Sequence, residues 1–242
     1  MRIVAIIQAR MGSTRLPGKV LLPIEGRSML QWVCRRTQQA ALVDQVLVAT
    51  TQQACDDAVA DECRRLGVAC FRGAEHDVLD RFCRAARAHR ADLVVRITAD
   101  CPLIDAELID DVVVAALQRQ PDYASNVLRR TYPRGLDTEV ATTAALARAW
   151  REATEPYQRV HVMPYFYQHP QWFRLYSVTG DEDCSAQRWT VDSPEDLEFV
   201  RGVCRRMAGD AFSWRDVHRL VQREPELAEL NRHVRQKQLV DG

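Results

Sequence analysis

Between Gln8 and Lys19 the chain reads Gln-Ala-Arg-Met-Gly-Ser-Thr-Arg-Leu-Pro-Gly-Lys, with three cations (Arg10, Arg15 and Lys19) and no acid. Gly12 and Gly18 allow tight turns and close approach of the backbone to a ligand, and Pro17 stiffens the exit. Backbone amides and cations gathered in one loop suit a polyphosphate. The spacing is not that of a P-loop, because five residues separate Gly12 from Gly18 and Val20 follows Lys19 where a magnesium-binding hydroxyl would stand. A solvated basic loop is the plain alternative. Residue usage argues against it: of the 33 basic residues only Lys19 and Lys237 are lysines, the rest being arginines. A compact ammonium serves a phosphate in a way that a planar guanidinium does not, and the loop is read as a triphosphate cradle.

Two acids complement it. Asp100 and Asp192 each end an apolar run, just ahead of a proline-marked turn (Cys101-Pro102 and Ser193-Pro194). Either alone reads as a turn former or helix cap. Together with the basic loop they supply what a magnesium–nucleotide site needs, since magnesium takes one or two carboxylates and completes its shell with waters and phosphate oxygens.

The elements that must bring these groups together are legible as alternating strands and helices. Ile3-Val4-Ala5-Ile6-Ile7 has no polar alternation and reads as a buried strand. Further strands are expected at 45–50, 68–71 and 93–98, and helices at 28–39, 53–66, 75–89 and 105–118, with Ser28 as a cap and Gly67 as a stop. This alternation implies βαβ units and a mostly parallel sheet covered on both faces. Ligands of such sheets bind beyond the carboxyl ends of the strands, so the cradle and Asp100 should open onto one crevice. The turn-rich stretch from Tyr123 to Glu139 reads as a binding loop. Helices near 143–152 and 156–168 and strands at 173–178 and 188–191 follow. Ser193-Pro194-Glu195-Asp196 then opens a helix. The expected division is an α/β domain at 1–204, with an inserted segment at 122–170. A helical appendage at 205–242 is broken at Pro225.

Composition narrows the partners. The chain of 242 residues is 47% apolar and 27% charged, with zero net charge, so it reads as a globular protein that binds neither nucleic acid nor anionic membranes non-specifically. Residues 1–36 nevertheless hold seven basic residues against one acid, Glu25, a local field for an anion. Eight cysteines form no Cys-x-x-Cys pair and no Cys/His ligand spacing. Reduced thiols in a cytoplasm are expected, without structural zinc. No apolar run reaches the roughly 18–20 residues of a membrane span.

The segments 6–20, 71–73 (Phe-Arg-Gly), 77–81 (Asp-Val-Leu-Asp-Arg), 95–105 (Val-Arg-Ile-Thr-Ala-Asp-Cys-Pro-Leu-Ile-Asp), 132–137 (Tyr-Pro-Arg-Gly-Leu-Asp) and 190–197 (Thr-Val-Asp-Ser-Pro-Glu-Asp-Leu) resemble, in order, the cytidylyltransferases that make CMP-activated sugars. The likeness is to the spore-coat polysaccharide F-type branch, related to CMP-sialic acid and CMP-Kdo synthetases. The resemblance implies a Rossmann-like, three-layer nucleotidyltransferase fold over 1–204, with 122–170 inserted for acceptor binding and dimerisation, CTP as donor, magnesium (Mg2+) as cofactor, pyrophosphate as leaving group and a homodimer. It implies that Arg10, Arg15 and Lys19 act on the triphosphate and that Gln8, Ala9, Gly12, Ser13, Arg72 and Thr98 complete the nucleotide site. Asp100 and Asp192 would hold the metal. Asn126, Tyr132, Arg134, Asp137 and Glu139 would face a sugar-acid acceptor. His161 reads as a packed or interface histidine and Cys101 as packing. The alternatives are a nucleotidyltransferase for a sugar phosphate or other anionic acceptor, a metal-dependent glycosyltransferase, and a nucleotide-binding partner protein with weakened turnover.

Overall fold

A computed structural model describes residues 1–236. In chain order, β1 (Ile3–Gln8) leads through the basic loop and a 3-10 turn (Lys19–Leu21) to a small ribbon, β2 (Pro23–Ile24) and β3 (Arg27–Ser28), and then α1 (Met29–Thr37). β4 (Gln45–Thr51), α2 (Asp57–Leu66), β5 (Ala69–Gly73), α3 (Val78–Ala88), β6 (Leu93–Thr98) and α4 (Ala106–Arg119) alternate as expected. β7 (Tyr123–Ser125), β8 (Glu139–Thr142), α5 (Thr143–Glu152), α6 (Pro156–His161), α7 (Pro164–Gln168) and β9 (Leu175–Ser177) come next. The described chain closes with α8 (Pro194–Arg206), α9 (Trp214–Arg223) and α10 (Glu226–Glu229).

The strands form one seven-stranded sheet in the order β5-β4-β1-β6-β8-β7-β9. β5, β4, β1 and β6 run parallel, and β8 alone is antiparallel to both of its neighbours. Successive β1 side chains serve opposite faces, as strand geometry requires. Ile3, Ala5 and Ile7 pack under α1, α2 and α4. Val4 and Ile6 pack under α3, α5 and α7. β1 lies between β4 and β6, the point where strand order reverses, so the loops after β1 and β6 open side by side at the carboxyl edge.

Four sequence expectations need correction. The 123–139 stretch is not irregular throughout: β7 and the start of β8 lie in it, too short to show a period. The strand expected at 188–191 is an extended connection with a single bridge between Arg134 and Arg188. Its amides bond to loop carbonyls, Trp189 to Arg134 at 2.6 Å and Val191 to Asp100 at 2.8 Å, so no ladder forms. The helix expected over 156–168 is two helices, interrupted at Val162, whose φ is +72°. The helix expected over 53–66 opens with a 3-10 turn and becomes α2 only at Asp57.

A third apolar cluster covers the carboxyl edge beyond β6. It joins Trp32 of α1, Leu103, Leu136, Trp189 and Val191 to α8, α9 and α10, through Val200, Val217 and Leu227. Gly135 is required where the 126–138 loop crosses the 188–191 connection. Its φ is +107°, and a Cβ there would stand 2.6 Å from Thr190 N and Trp189 C. Because backbone cannot yield as a side-chain tip can, Gly135→Ala should cost roughly 2 kcal/mol or more. A thermal midpoint lowered by about 4 °C or more in a melting experiment is expected; an unchanged midpoint would show that the crossing can open freely.

Candidate active site

Gly18, at φ +69°, turns the basic loop into the 3-10 turn that carries Lys19 inward. There the Lys19 ammonium donates three hydrogen bonds of 2.8 Å, to Asp100 Oδ2, Asp192 Oδ1 and the carbonyl of Val191. Residues far apart in sequence thus meet on one nitrogen. Burial works against the lysine's charge, but the two carboxylates outweigh it and raise the Lys19 pKa. Burial likewise opposes ionisation of Asp100, yet the adjoining Lys19 ammonium and a hydrogen bond from Thr98 pull its pKa down to about 2. Asp192 is held by two more cations, Arg15 at 2.9 Å and Arg188 at 2.8 Å. Arg188 also grips Asp196 at 2.9 Å. Asp196 closes the α8 capping box and accepts from the Asp192 amide at 2.9 Å.

The scaffold explains the convergence. Asp100 follows β6, hydrogen-bonded along its length to β1. The 190–192 connection is tied to it where Thr190 Oγ1 donates to the Asp100 carbonyl at 3.2 Å. The loop is pinned at its start by buried Asp56, which accepts from the Met11 amide at 2.6 Å and from the Thr51 hydroxyl. Ser13 and Gly18 both donate to the Met11 carbonyl, at 2.8 and 3.0 Å. Among the described residues the amides of Gly12, Thr14 and Arg15 have no acceptor, and the Arg10 side chain is exposed. Ser13 Oγ is turned inward to accept from Leu16 N at 3.3 Å. Unpaired amides with a free guanidinium beside them are an anion-binding concavity.

The same geometry tests the fit of a divalent cation. Asp100 and Asp192 are hard oxygen donors facing one positively charged atom, and Asp100 is ionised throughout the neutral range. A buried ammonium supplies there the counter-charge that the pair demands. The donor set suits magnesium, which needs only one or two protein carboxylates when phosphate oxygens share its shell.

The remaining expected residues divide. Ala9 is buried beneath the loop, Thr98 supports Asp100, and Gln8 accepts from Arg96 at 3.3 Å. Arg72 is a brace: its guanidinium donates to Thr51 O, Asp57 Oδ1 and Gln53 O at 2.8, 2.6 and 3.0 Å, which holds the β4–α2 connection. Three residues expected to face an acceptor make contacts inside the scaffold. Asn126 spans its loop, donating to Leu136 O at 2.7 Å and accepting from Thr138 N at 2.9 Å. Tyr132 is buried edge-on against Trp214, with ring centroids 5.4 Å apart. Glu139 pairs with Arg96 and accepts from Tyr123 Oη at 2.6 Å. Asp137 is bound by both Arg130 nitrogens, at 2.6 and 2.8 Å. Arg134 is half-buried nearby, its pKa lowered by burial and then by the Arg130 charge. Sequence reasoning missed Asp56, Arg188 and Asp196. The Ser193-x-x-Asp196 capping box was the one signal for the last.

With this geometry in place, comparison with known proteins is direct. A family model described as cytidylyltransferase matches residues 4–213. The spore coat polysaccharide biosynthesis protein SpsF of Bacillus subtilis is 34% identical over 235 residues, spanning 93% of this chain and 96% of that one. The structure of a cytidylyltransferase from Leptospira borgpetersenii superposes with a TM-score of 0.92 at 31% identity, covering 98% of this chain and all of the other. CMP:2-keto-3-deoxy-manno-octonic acid synthetase, in complex with CTP, shares the fold at a TM-score of 0.66 and 20% identity, over 85% of this chain and 99% of that one. A cationic loop after β1 facing strand-end carboxylates, in a chain matched along most of its length, gives one conclusion: the protein belongs to the cytidylyltransferase family and is a CTP-dependent nucleotidyltransferase.

Proposed function

We propose that this cytidylyltransferase transfers CMP from CTP to a sugar acid of the 2-keto-3-deoxy type, releasing pyrophosphate, in the building of a surface polysaccharide. The observation that carries the reading is the Lys19 ammonium between Asp100 and Asp192, beside a loop whose amides and Arg10 are free. The acceptor class is supported by the motifs shared with sugar-acid activating relatives and by Arg134, a half-buried cation beside the Arg130–Asp137 pair, suited to a carboxylate. Asn126, Tyr132 and Glu139 shape this region from behind.

In the proposed reaction an acceptor hydroxyl attacks the α-phosphorus of CTP in line, and the bond to pyrophosphate breaks. The amides of Gly12, Thr14 and Arg15, with Arg10, orient the triphosphate. Lys19 and Arg15 stabilise the charge that grows on the phosphate oxygens, so positioning and electrostatics carry the step without a covalent nucleophile. Asp100 and Asp192 would hold magnesium, which when bound polarises phosphoryl oxygens as a Lewis acid. Eight free thiols suit a reducing cytoplasm. Among the described residues no helix is long and apolar enough to cross a membrane. We extend the reading to a homodimer built through the 122–170 segment. In support, Trp172 next to it is 46% exposed and stacks on His169 with centroids 4.5 Å apart.

Two measurements test the site. Lys19→Ala should lower turnover by on the order of 10²-fold in a pyrophosphate-release assay with saturating CTP, magnesium and a panel of sugar acids, a loss typical of a missing transition-state donor. Near wild-type rates would remove Lys19 from the chemistry, and no CMP product by mass across the panel would remove the acceptor class. The second measurement is acid stability. Since Asp100 sits at about 2 instead of its usual 3.8, its contribution is intact above about pH 4 and disappears as pH falls toward 2. In Lys19→Met burial acts on Asp100 without the opposing ammonium, so its folded pKa rises and this acid-side loss should shrink. Thermal midpoints followed from about pH 7 to pH 3 should therefore fall less steeply below about pH 4 than in the wild type; superposable profiles would deny the coupling.

A further inference from the structure

The family model ends at residue 213, yet the chain beyond it returns to the site. Leu227 of α10 seats on α8 at Gly202, where a Cβ would lie only 2.8 Å from Leu227 Cδ2. This contact delivers Asn231, 3% exposed, to the far side of the carboxylate cluster. Asn231 Nδ2 donates to the Arg188 carbonyl at 3.0 Å and to Asp196 Oδ1 at 2.9 Å. Gln236 Oε1 accepts from Arg188 Nη1 at 2.5 Å. Arg188 is thereby gripped at its backbone, along its guanidinium and through its partner Asp196, while its Nη2 holds Asp192 Oδ2 at 2.8 Å.

We propose that the segment 226–236 is a positioning strap, in which Asn231 fixes the Arg188–Asp196 pair and so sets the orientation of Asp192 and its affinity for a divalent cation. The inference rests on the metal-binding reading of Asp100 and Asp192. Packing alone would need an apolar side chain at 231. The buried position carries instead a side chain whose amide nitrogen donates to both halves of the pair. The chain of hydrogen bonds ends on a carboxylate whose other oxygen holds Lys19. Partners lying behind a metal's own ligands are typically worth about 10–100-fold in metal affinity. Asn231 touches no reacting atom and acts only through Arg188 and Asp196.

The probe is Mn2+, followed by loss of its free-ion paramagnetic resonance signal when titrated with the full chain. Wild-type protein should bind Mn2+, and Asp192→Asn should abolish binding. Asn231→Leu, of nearly the same size but without donors, should weaken Mn2+ binding by about tenfold. Asn231→Asp, which replaces the donor by a charge facing Asp196, should do the same and guards against misfolding of the first variant. Val113→Ala, a buried truncation in α4 away from the strap, should lower the thermal midpoint and leave Mn2+ affinity at the wild-type value. Wild-type affinity in both Asn231 variants would overturn the strap alone. Absence of Mn2+ binding in the wild type would overturn the metal reading and the strap with it.

Discussion

The constraint on which the structure turns is a buried ammonium shared by two carboxylates. Lys19 reaches Asp100 across 81 residues of sequence and Asp192 across 173. An ion removed from water is tolerated only when paired and hydrogen-bonded, and all three Lys19 donors are satisfied. The loop after β1, the end of β6 and the 190–192 connection must therefore close together, since leaving out any one strands a charge. Gly18 turns Lys19 inward, and Gly135 lets the 126–138 loop cross against the 188–191 connection.

A second set of buried polar contacts fixes the frame beneath. Arg96 on β6 pairs with Glu139 on β8, which also takes the hydroxyl of Tyr123 on β7, while Arg96 reaches Gln8 on β1. Four strands are thus tied through one guanidinium, at the place where antiparallel β8 enters an otherwise parallel sheet. Slipping the register by one residue would turn Glu139 to the other face and leave Arg96 unpaired. A polar network here specifies the pairing of strands too short to be held by their own apolar pattern, and it keeps Gln8 and the loop beyond it in place. At the other edge Arg36, buried in α1, donates to the carbonyls of Ile104, Asp210 and Phe212 at 2.6, 2.7 and 3.0 Å. That contact ties the α8–α9 connection to the turn after β6.

What was legible in the sequence follows the same physics. β1, β4 and β6 are buried on both faces and read as unbroken apolar runs, so the sheet and its carboxyl edge could be placed. Arg10, Arg15, Lys19, Asp100 and Asp192 announced themselves by charge type and by position at strand ends. β7 and β8 were hidden because three or four residues carry no period. Asn126, Tyr132 and Glu139 were expected to face an acceptor from the likeness to CMP-sugar-forming relatives, in a segment whose turns read as a binding loop. Asn126 instead bonds across its own loop, while Tyr132 and Glu139 meet interior partners far off in sequence, which no local pattern encodes. Arg188 was hidden inside what read as a strand, and the return of Asn231 depends on packing of α10 against α8, which sequence spacing does not disclose.

The charge arrangement also bears on how the proposed substrates bind. Arg15 and Lys19 stabilise a triphosphate less well while both hold carboxylates, and Asp100 and Asp192 bind a second cation more weakly while both are neutralised by side chains. Arg10 and the free amides remain available throughout, so they can take the nucleotide first. Once the carboxylates are neutralised from outside, Lys19 and Arg15 are released toward the phosphates. Once a triphosphate draws Lys19 and Arg15 away, the carboxylates regain their demand for positive charge. Each event lowers the cost of the other, and linkage makes that coupling equal in both directions. On the proposed reading, cations that pair with Asp100 and Asp192 spare the protein a bare pair of buried carboxylates between turnovers, and nucleotide binding strengthens the site for a second cation.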